Sequence, residues 1–272
     1  STRPNIVELG KWRLPITIII SIFSFFVIIL PFITVAITSF TVNMGKPLTF
    51  SNLSLKAWEK VFSRASIISS TTNSFLTATA AAFFGILISC VMAYLLQRTN
   101  VKGKRIPDFL ITLGSGTPSV TIALALIISM SGKFGINIYN TLTIMVVAYM
   151  IKYMLMGMRT VVSAMSQVHP SLEEAAQISG ANWLRMLKDV TLPLIGASIV
   201  AGIFLIFMPS FYELTMSTLL YSSNTKTIGY ELYIYQTYHS QQVASALATA
   251  ILLFVILVNY ILSKLTKGQF SI

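Results

Sequence analysis

The chain has 272 residues, of which 55% are hydrophobic and only 10% are charged, with a formal net charge of +11. A soluble domain carries about 25% charged residues, so this composition excludes a solvated globular surface of that size. The basic residues stand in clusters between apolar runs, a pattern typical of membrane-protein loops and not of a nucleic-acid partner. Two histidines and one cysteine, Cys90, leave no internal disulfide and no all-protein transition-metal site to expect.

Six apolar windows are long enough to cross a bilayer, because a membrane helix needs about 20 residues with few or no charges. The sequence therefore predicts an all-α integral membrane protein, with residues 1–272 forming a single transmembrane domain. The predicted helices cover approximately 14–40, 67–97, 107–131, 135–158, 193–220 and 241–264.

The distribution of basic residues predicts the orientation of these helices. Loops on the cytoplasmic side of a membrane carry an excess of Lys and Arg. Such clusters lie before the first helix, in the loops that join the second to the third and the fourth to the fifth, and after the sixth. Their residues include Arg3, Arg13, Arg98, Arg105, Arg159, Arg185, Lys264 and Lys267. Both termini are therefore predicted to be cytoplasmic, although the basic outer loop 41–64 is an exception to the pattern.

The third predicted helix contains an internal break signal, Gly114-Ser115-Gly116-Thr117-Pro118. Pro118 removes a backbone donor and clashes with the preceding turn, so a kink or an unwound segment is expected there. Broken helices at membrane depth are tolerated where the freed backbone faces protein or water. The break indicates either a substrate path or a kinked structural helix.

The segment 159–192 between the fourth and fifth helices is too long for a simple connection. Pro170 suits a first helical position with Ser171 as a cap, and Gly180 suits a left-handed C-terminal position. Asn182 is predicted to cap a second short helix, and Pro193 to open the fifth membrane helix. The side chains expected to lie against the bundle are Trp183, Leu184 and Leu187. A short amphipathic helix of this kind could dock in a groove of a partner.

The same segment resembles the EAA loop of bacterial binding-protein-dependent ABC importers. Glu174-Ala175-Ala176, Gly180, Val190 and Leu192-Pro193 stand at the family's spacing, with Val190 where Ile is usual. The resemblance implies a MetI-like ABC importer permease fold in which this loop is the cytoplasmic coupling helix. It implies that the ATPase docks on Glu173, Glu174, Ala175, Ala176, Gly180 and Ala181, with Val190, Leu192 and Pro193 in support.

The resemblance also implies the partners and the location. They are two nucleotide-binding ATPase subunits, a second permease half (identical, homologous or fused), an extracytoplasmic solute-binding protein and the lipid of the bacterial inner membrane. The chain has no Gly-x-x-x-x-Gly-Lys-Ser/Thr loop, so it is expected not to be an enzyme. It is expected to need no cofactor or metal of its own, while ATP and Mg bind the partner ATPase.

A second resemblance concerns the cargo. Tyr212-Glu213-Leu214-Thr215 and the following residues up to Ile228 are similar to a stretch of the ferric-iron permease group, whose relatives carry polyamine, thiamine or phosphonate. Ferric iron is therefore the expected cargo, and a secondary carrier or channel is the alternative from another class. The candidate path or gate residues are Asn73, Thr117, Pro118 and Glu213. Glu213 is either a gate carboxylate or a structural hydrogen-bond partner, and the tyrosines of 221–239 indicate an aromatic belt more than a metal site.

Overall fold

The computed structural model describes residues 9–265, so Arg3 and Lys267 lie outside the described part of the chain. Within that part the secondary structure is helical. The helices are α1 (Gly10–Thr38), α2 (Lys56–Ser63), α3 (Ala65–Arg98), α4 (Arg105–Gly116), α5 (Ser119–Ser129), α6 (Leu142–Gln167), α7 (Pro170–Ile178), α8 (Trp183–Phe211), α9 (Thr215–Leu220), α10 (Ile228–Tyr238) and α11 (Gln241–Leu265).

Five described helices, α1, α3, α6, α8 and α11, are long and apolar enough to cross a membrane, and the pair α4 and α5 makes a sixth span if it is counted as one. This confirms the predicted six-helix membrane protein. None of the residues of α1 is buried, and this helix contacts the rest of the described structure mainly through α11. It therefore lies at the rim of the bundle.

The centre of the molecule is a bundle of α3, α6 and α8 that pack closely against one another. Glycines permit the close approach, as small residues do in membrane bundles. A Cβ atom on Gly157 would lie 2.7 Å from Ile206 Cδ1, and one on Gly202 would lie 2.7 Å from Ile86 Cδ1. The three helices therefore form one closely packed bundle.

The third predicted span is not one helix over 107–131 but two helices, α4 and α5, bent by 112°. The bend lies at Thr117 and Pro118, as the proline indicated, and both residues have extended ψ angles near 138°. The Lys152 Nζ of α6 donates to the carbonyls of Ser115 and Thr117 at 3.0 and 2.8 Å. The freed carbonyls are thus satisfied by a cation from the neighbouring helix.

The predicted fourth and fifth helices have different bounds in the structure. Residues 131–141 form turns with an isolated bridge between Ser131 and Asn137, so α6 begins only at Leu142 and continues to Gln167. Arg159 consequently lies on the membrane helix and not in the loop 159–192. The fifth helix does not open at Pro193, because a π-helical segment, Leu187–Thr191, joins it without a break to Trp183. It also ends at Phe211 rather than near 220.

The end of the bundle opposite α7 is closed by the segment that follows α9. Asn73 Nδ2 donates to the carbonyls of Asn224 and Lys226 at 3.2 and 2.9 Å, and Ser74 Oγ accepts from the Ile228 amide at 2.8 Å. The adjacent residues of α3 therefore hold the start of α10.

Candidate docking helix and membrane path

The local geometry of α7 follows the turn residues of the sequence. Pro170 stands in the first turn, Gly180 has φ +89° after the last turn, and the Asn182 side chain accepts from the Arg185 amide. These positions confirm the local predictions. The N-cap is His169 and not Ser171, because the His169 ring nitrogen accepts from the Ser171 amide at 3.3 Å.

One face of α7 is tied to the bundle through a buried carboxylate, Glu173, which is 7% exposed. Its Oε2 lies 3.0 Å from Arg98 Nε at the end of α3, and its Oε1 accepts from the Thr191 hydroxyl of α8 at 3.0 Å. Arg98 also donates to the carbonyls of Met165 and Val168 at the end of α6. The Glu173 tie, defined as Arg98, Glu173 and Thr191, therefore joins α7 to all three core helices.

The other face of α7 is open. Glu174, Ala175, Gln177 and Gly180 are exposed, Ala176 is half-buried, and the apolar side chains Leu172 and Ile178 are 47% and 87% exposed. Two adjacent glutamates thus have different positions, since Glu173 faces inward and Glu174 faces outward. A projecting helix that is fixed on one face and exposes Ile178 on the other is suited to dock in a partner's groove.

Of the three side chains predicted to lie against the bundle, Trp183 contacts α3 and Leu187 is half-buried, but Leu184 does not lie against it. Met186 is buried, whereas Leu184 is 67% exposed and does not lie against the bundle. Trp183 is half exposed and its Nε1 donates to the Tyr94 hydroxyl of α3 at 2.8 Å. The remaining EAA positions lie in or beside the π-helical segment, where Val190 is half-buried and Leu192 and Pro193 are exposed.

A cavity of about 980 Å³ lies beside the docking helix, between the α7 ends of α6 and α8. Its lining is polar for a membrane protein and includes Arg159, Thr160, Ser163, Gln167, His169 and Ser198. Arg159 pairs with Asp108 of α4 at 2.9 Å and donates to Thr112 Oγ1 at 3.0 Å. The cavity therefore combines hydroxyl, amide and basic groups.

The four predicted path residues do not form one site. Thr117 and Pro118 lie at the bend between α4 and α5, whereas Asn73 holds the segment before α10. Glu213 is 8% exposed and fills structural roles, since it accepts from the Tyr153 hydroxyl and from the Met216 amide at 2.8 Å. Of the two alternatives left open for Glu213, these contacts favour the structural hydrogen-bond partner.

The tyrosines between α9 and α11 pack mainly with one another. The rings of Tyr221 and Tyr230 stack with centroids 4.1 Å apart, while Tyr238 is 68% exposed. Burial, together with the neighbouring Tyr221 hydroxyl, raises the pKa of Tyr230 to about 12. The contacts of these rings with one another favour a packing role over metal ligation.

Sequence reasoning missed three residues of these sites: Arg98, Thr191 and Lys152. Arg98 was assigned to a basic loop, yet its partner Glu173 is 75 residues away along the chain. Lys152 lies within the fourth predicted helix, 135–158, and an ionisable residue within a membrane helix is itself a functional signal.

A helical membrane protein with a projecting amphipathic helix tied to its core is the class that this fold and site define. The chain belongs to the family described as "Binding-protein-dependent transport system inner membrane component", which matches residues 85–267. It is therefore a permease subunit of a binding-protein-dependent ABC importer, and a multi-pass protein of the inner membrane.

Three curated relatives are named for different cargoes, and they differ in length. The chain is 26% identical over 203 residues to "Putative ferric transport system permease protein FbpB 1" of Haemophilus influenzae, covering 72% of this chain but only 30% of the relative. It is 27% identical over 255 residues to "Trehalose/maltose transport system permease protein MalG" of Thermococcus litoralis, covering 88% of this chain and 90% of the relative. A sulfate permease, CysT of Salmonella typhimurium, is 26% identical over 199 residues.

Solved structures agree on the fold. A chain of a bacterial ABC transporter that imports the acidic polysaccharide alginate superposes with a TM-score of 0.73 at 16% identity, covering 93% of this chain and 96% of that one. The inward-facing MetNI methionine ABC transporter gives a TM-score of 0.60. The MetI-like ABC importer permease fold expected from the sequence is confirmed.

Proposed function

We propose that α7 is the coupling helix, on which an ATPase subunit docks, and that its movement opens and closes a cargo path between this chain and a second permease half. The observation that carries this proposal is the two-sided environment of α7. The Glu173 tie holds the inner face to α3, α6 and α8, while Glu174 and Ile178 are exposed on the outer face. Force applied to the outer face is therefore transmitted to the whole core bundle.

The remaining parts of the complex follow from this assignment. The end of the bundle that carries α7 faces the cytoplasm, so both termini are cytoplasmic, in agreement with the basic loops. Two ATPase subunits bind ATP and Mg and supply the energy. A solute-binding protein delivers cargo at the opposite end, and the path alternates in access between the two sides.

Ferric iron is the cargo we propose from the sequence, supported by the Tyr212–Ile228 stretch and by the ferric permease among the relatives. Polyamine, thiamine and phosphonate remain the alternatives of that group. The trehalose/maltose permease supports a sugar as the second candidate, because it matches this chain over 90% of its own length.

The test is purification of the full chain from its native membrane, followed by reconstitution of the complex in proteoliposomes. We expect an ATPase and a solute-binding protein to copurify, and ATP-driven uptake of radiolabelled ferric iron, maltose or sulfate to report the cargo. Uptake of any probe without ATP, and without a copurifying ATPase, would contradict the proposal and indicate a secondary carrier.

A further inference from the structure

A polar stripe runs along α6, although this helix is long and apolar enough to cross a membrane. We define the α6 stripe as Lys152, Met156, Arg159, Thr160, Ser163 and Gln167. Successive members are three or four residues apart, except that Arg159 and Thr160 are adjacent, and all share one face of the helix. Met156 is the one apolar member. From Lys152 to Gln167 it extends for about 22 Å along the helix axis.

The side chains of the α6 stripe are at least partly exposed, and contact with lipid would be energetically unfavourable for the charged ones. Arg159, Ser163 and Gln167 are exposed and Lys152 is half-buried. A Lys or Arg that faces the centre of a bilayer costs about 2.5–3.5 kcal/mol, so such residues face protein or water. The lower part of the stripe, from Arg159 to Gln167, lines the 980 Å³ cavity, whose other polar lining residues are His169 and Ser198.

The charges along the α6 stripe do not cancel. Arg159 is paired with Asp108, but Lys152 donates to two neutral carbonyls, those of Ser115 and Thr117. These carbonyls lie at the C-terminal end of α4, where the helix dipole stabilises a positive charge. Among the described residues no carboxylate forms an ion pair with Lys152, and α6 contains no Asp or Glu, so the full positive charge of Lys152 is offset only by the partial charges of these carbonyls.

We propose that the α6 stripe lines the cargo path and that Lys152 makes this path favour negatively charged solutes over positively charged ones. The inference rests on the proposed function and narrows its cargo. In a water-filled path, the Lys152 ammonium raises the local concentration of a singly charged anion about 7 Å away by about threefold. It lowers the local concentration of a singly charged cation by the same factor. The path therefore disfavours polyamine and thiamine and favours phosphonate, and a ferric ion would cross with its charge neutralised by ligands.

The test uses the assembled transporter in proteoliposomes, with Cys90→Ala to remove the native thiol and Met156→Cys as a reporter. Met156 is 48% exposed and lies one turn from Lys152. Labelling rates are measured with an anionic reagent, sulfonatoethyl methanethiosulfonate, and with the cationic trimethylammonium analogue, each divided by its rate with a free thiol. We expect the anionic reagent to react about twofold faster at 0.15 M salt, and the ratio to rise as the salt is lowered.

The matched control adds Lys152→Met to the reporter chain, and the ratio of the two rates should then fall to about one. Ser163→Cys is a second reporter if Met156→Cys fails to fold, and the exposed, apolar Leu253→Cys of α11 should react with neither reagent. Equal rates for both reagents, an unchanged ratio in Lys152→Met, or no labelling of either reporter would overturn the inference. Labelling needs neither cargo nor ATP turnover, so this failure is distinct from failure of the coupling proposal.

Discussion

At the residue scale, Glu173 and Glu174 are neighbours in the sequence with opposite surroundings. Glu173 and Arg98 are both 9% exposed at their side chains, so removal of one leaves the other as an unpaired buried charge. Loss of one partner of a buried ion pair costs about 3–5 kcal/mol. The pair therefore has a structural role that the exposed Glu174 does not share.

We expect Glu173→Ala to lower the free energy of unfolding by about 3–5 kcal/mol, because Arg98 loses its carboxylate. Thermal unfolding of the detergent-purified chain measures this effect. Glu174→Ala is the control, and it should leave the unfolding midpoint unchanged while it weakens ATPase binding. Equal midpoints for the two variants would show that the Glu173 tie does not hold α7.

The backbone turn that follows α7 has a left-handed residue at Gly180, and a substitution there tests whether this turn is needed. A Cβ atom there would meet nothing within 4 Å, but φ +89° is unfavourable for an L side chain. We expect Gly180→Ala to cost about 1–2 kcal/mol locally and to lower the uptake obtained per ATP hydrolysed. Gly180→Asn should recover much of that ratio, because Asn tolerates the left-handed region. If Gly180→Ala kept the parent's uptake per ATP hydrolysed, the left-handed turn at Gly180 would not be required for coupling.

At the element scale, the ends of α7 were predictable and its attachments were not. Pro170, Gly180 and Asn182 act on backbone atoms within a few residues, so their roles can be derived from the sequence. The contact between Arg98 and Glu173 depends on how α3 and α7 meet in space, which no local pattern encodes. In the same way, Pro118 indicated a break, but the local pattern predicted neither the 112° angle nor the hydrogen bonds that Lys152 of another helix makes at the bend.

The start of α10 provides a prediction about element packing. A Cβ atom on Gly229 would lie 2.2 Å from the Glu213 carbonyl oxygen, a backbone atom that cannot move alone. We expect Gly229→Ala to destabilise the protein by about 3 kcal/mol, at the upper end of overpacking effects. The yield of monodisperse protein and its unfolding midpoint measure this.

Gly196→Ala on α8 is the matched control for Gly229→Ala, because a Cβ atom there meets nothing within 4 Å. Alanine is the better helix former, so this variant should be as stable as the parent chain or slightly more stable. If both variants behaved alike, the close approach of α10 to Glu213 would not be a packing constraint.

At the scale of the whole molecule, α3, α6 and α8 form one packed bundle to which the projecting helix α7 is attached. The Gly157 and Gly202 contacts pack α6 against α8, and the Glu173 tie attaches α7 to the same bundle. A partner that moves α7 must therefore move the core helices and the cavity beside them. The hydrophobic pattern predicted the number of spans, whereas this mechanical connection follows only from the contacts.

The most direct test of the docking claim is Ile178→Asp, which places a charge on the open face of α7. Ile178 is 87% exposed, so the substitution should leave folding intact. We expect loss of the copurifying ATPase and of ATP-driven uptake, while Leu55→Asp, at another exposed apolar position near the opposite end of the bundle, retains the ATPase. Normal ATPase recovery and uptake with Ile178→Asp would contradict the assignment of α7 as the coupling helix.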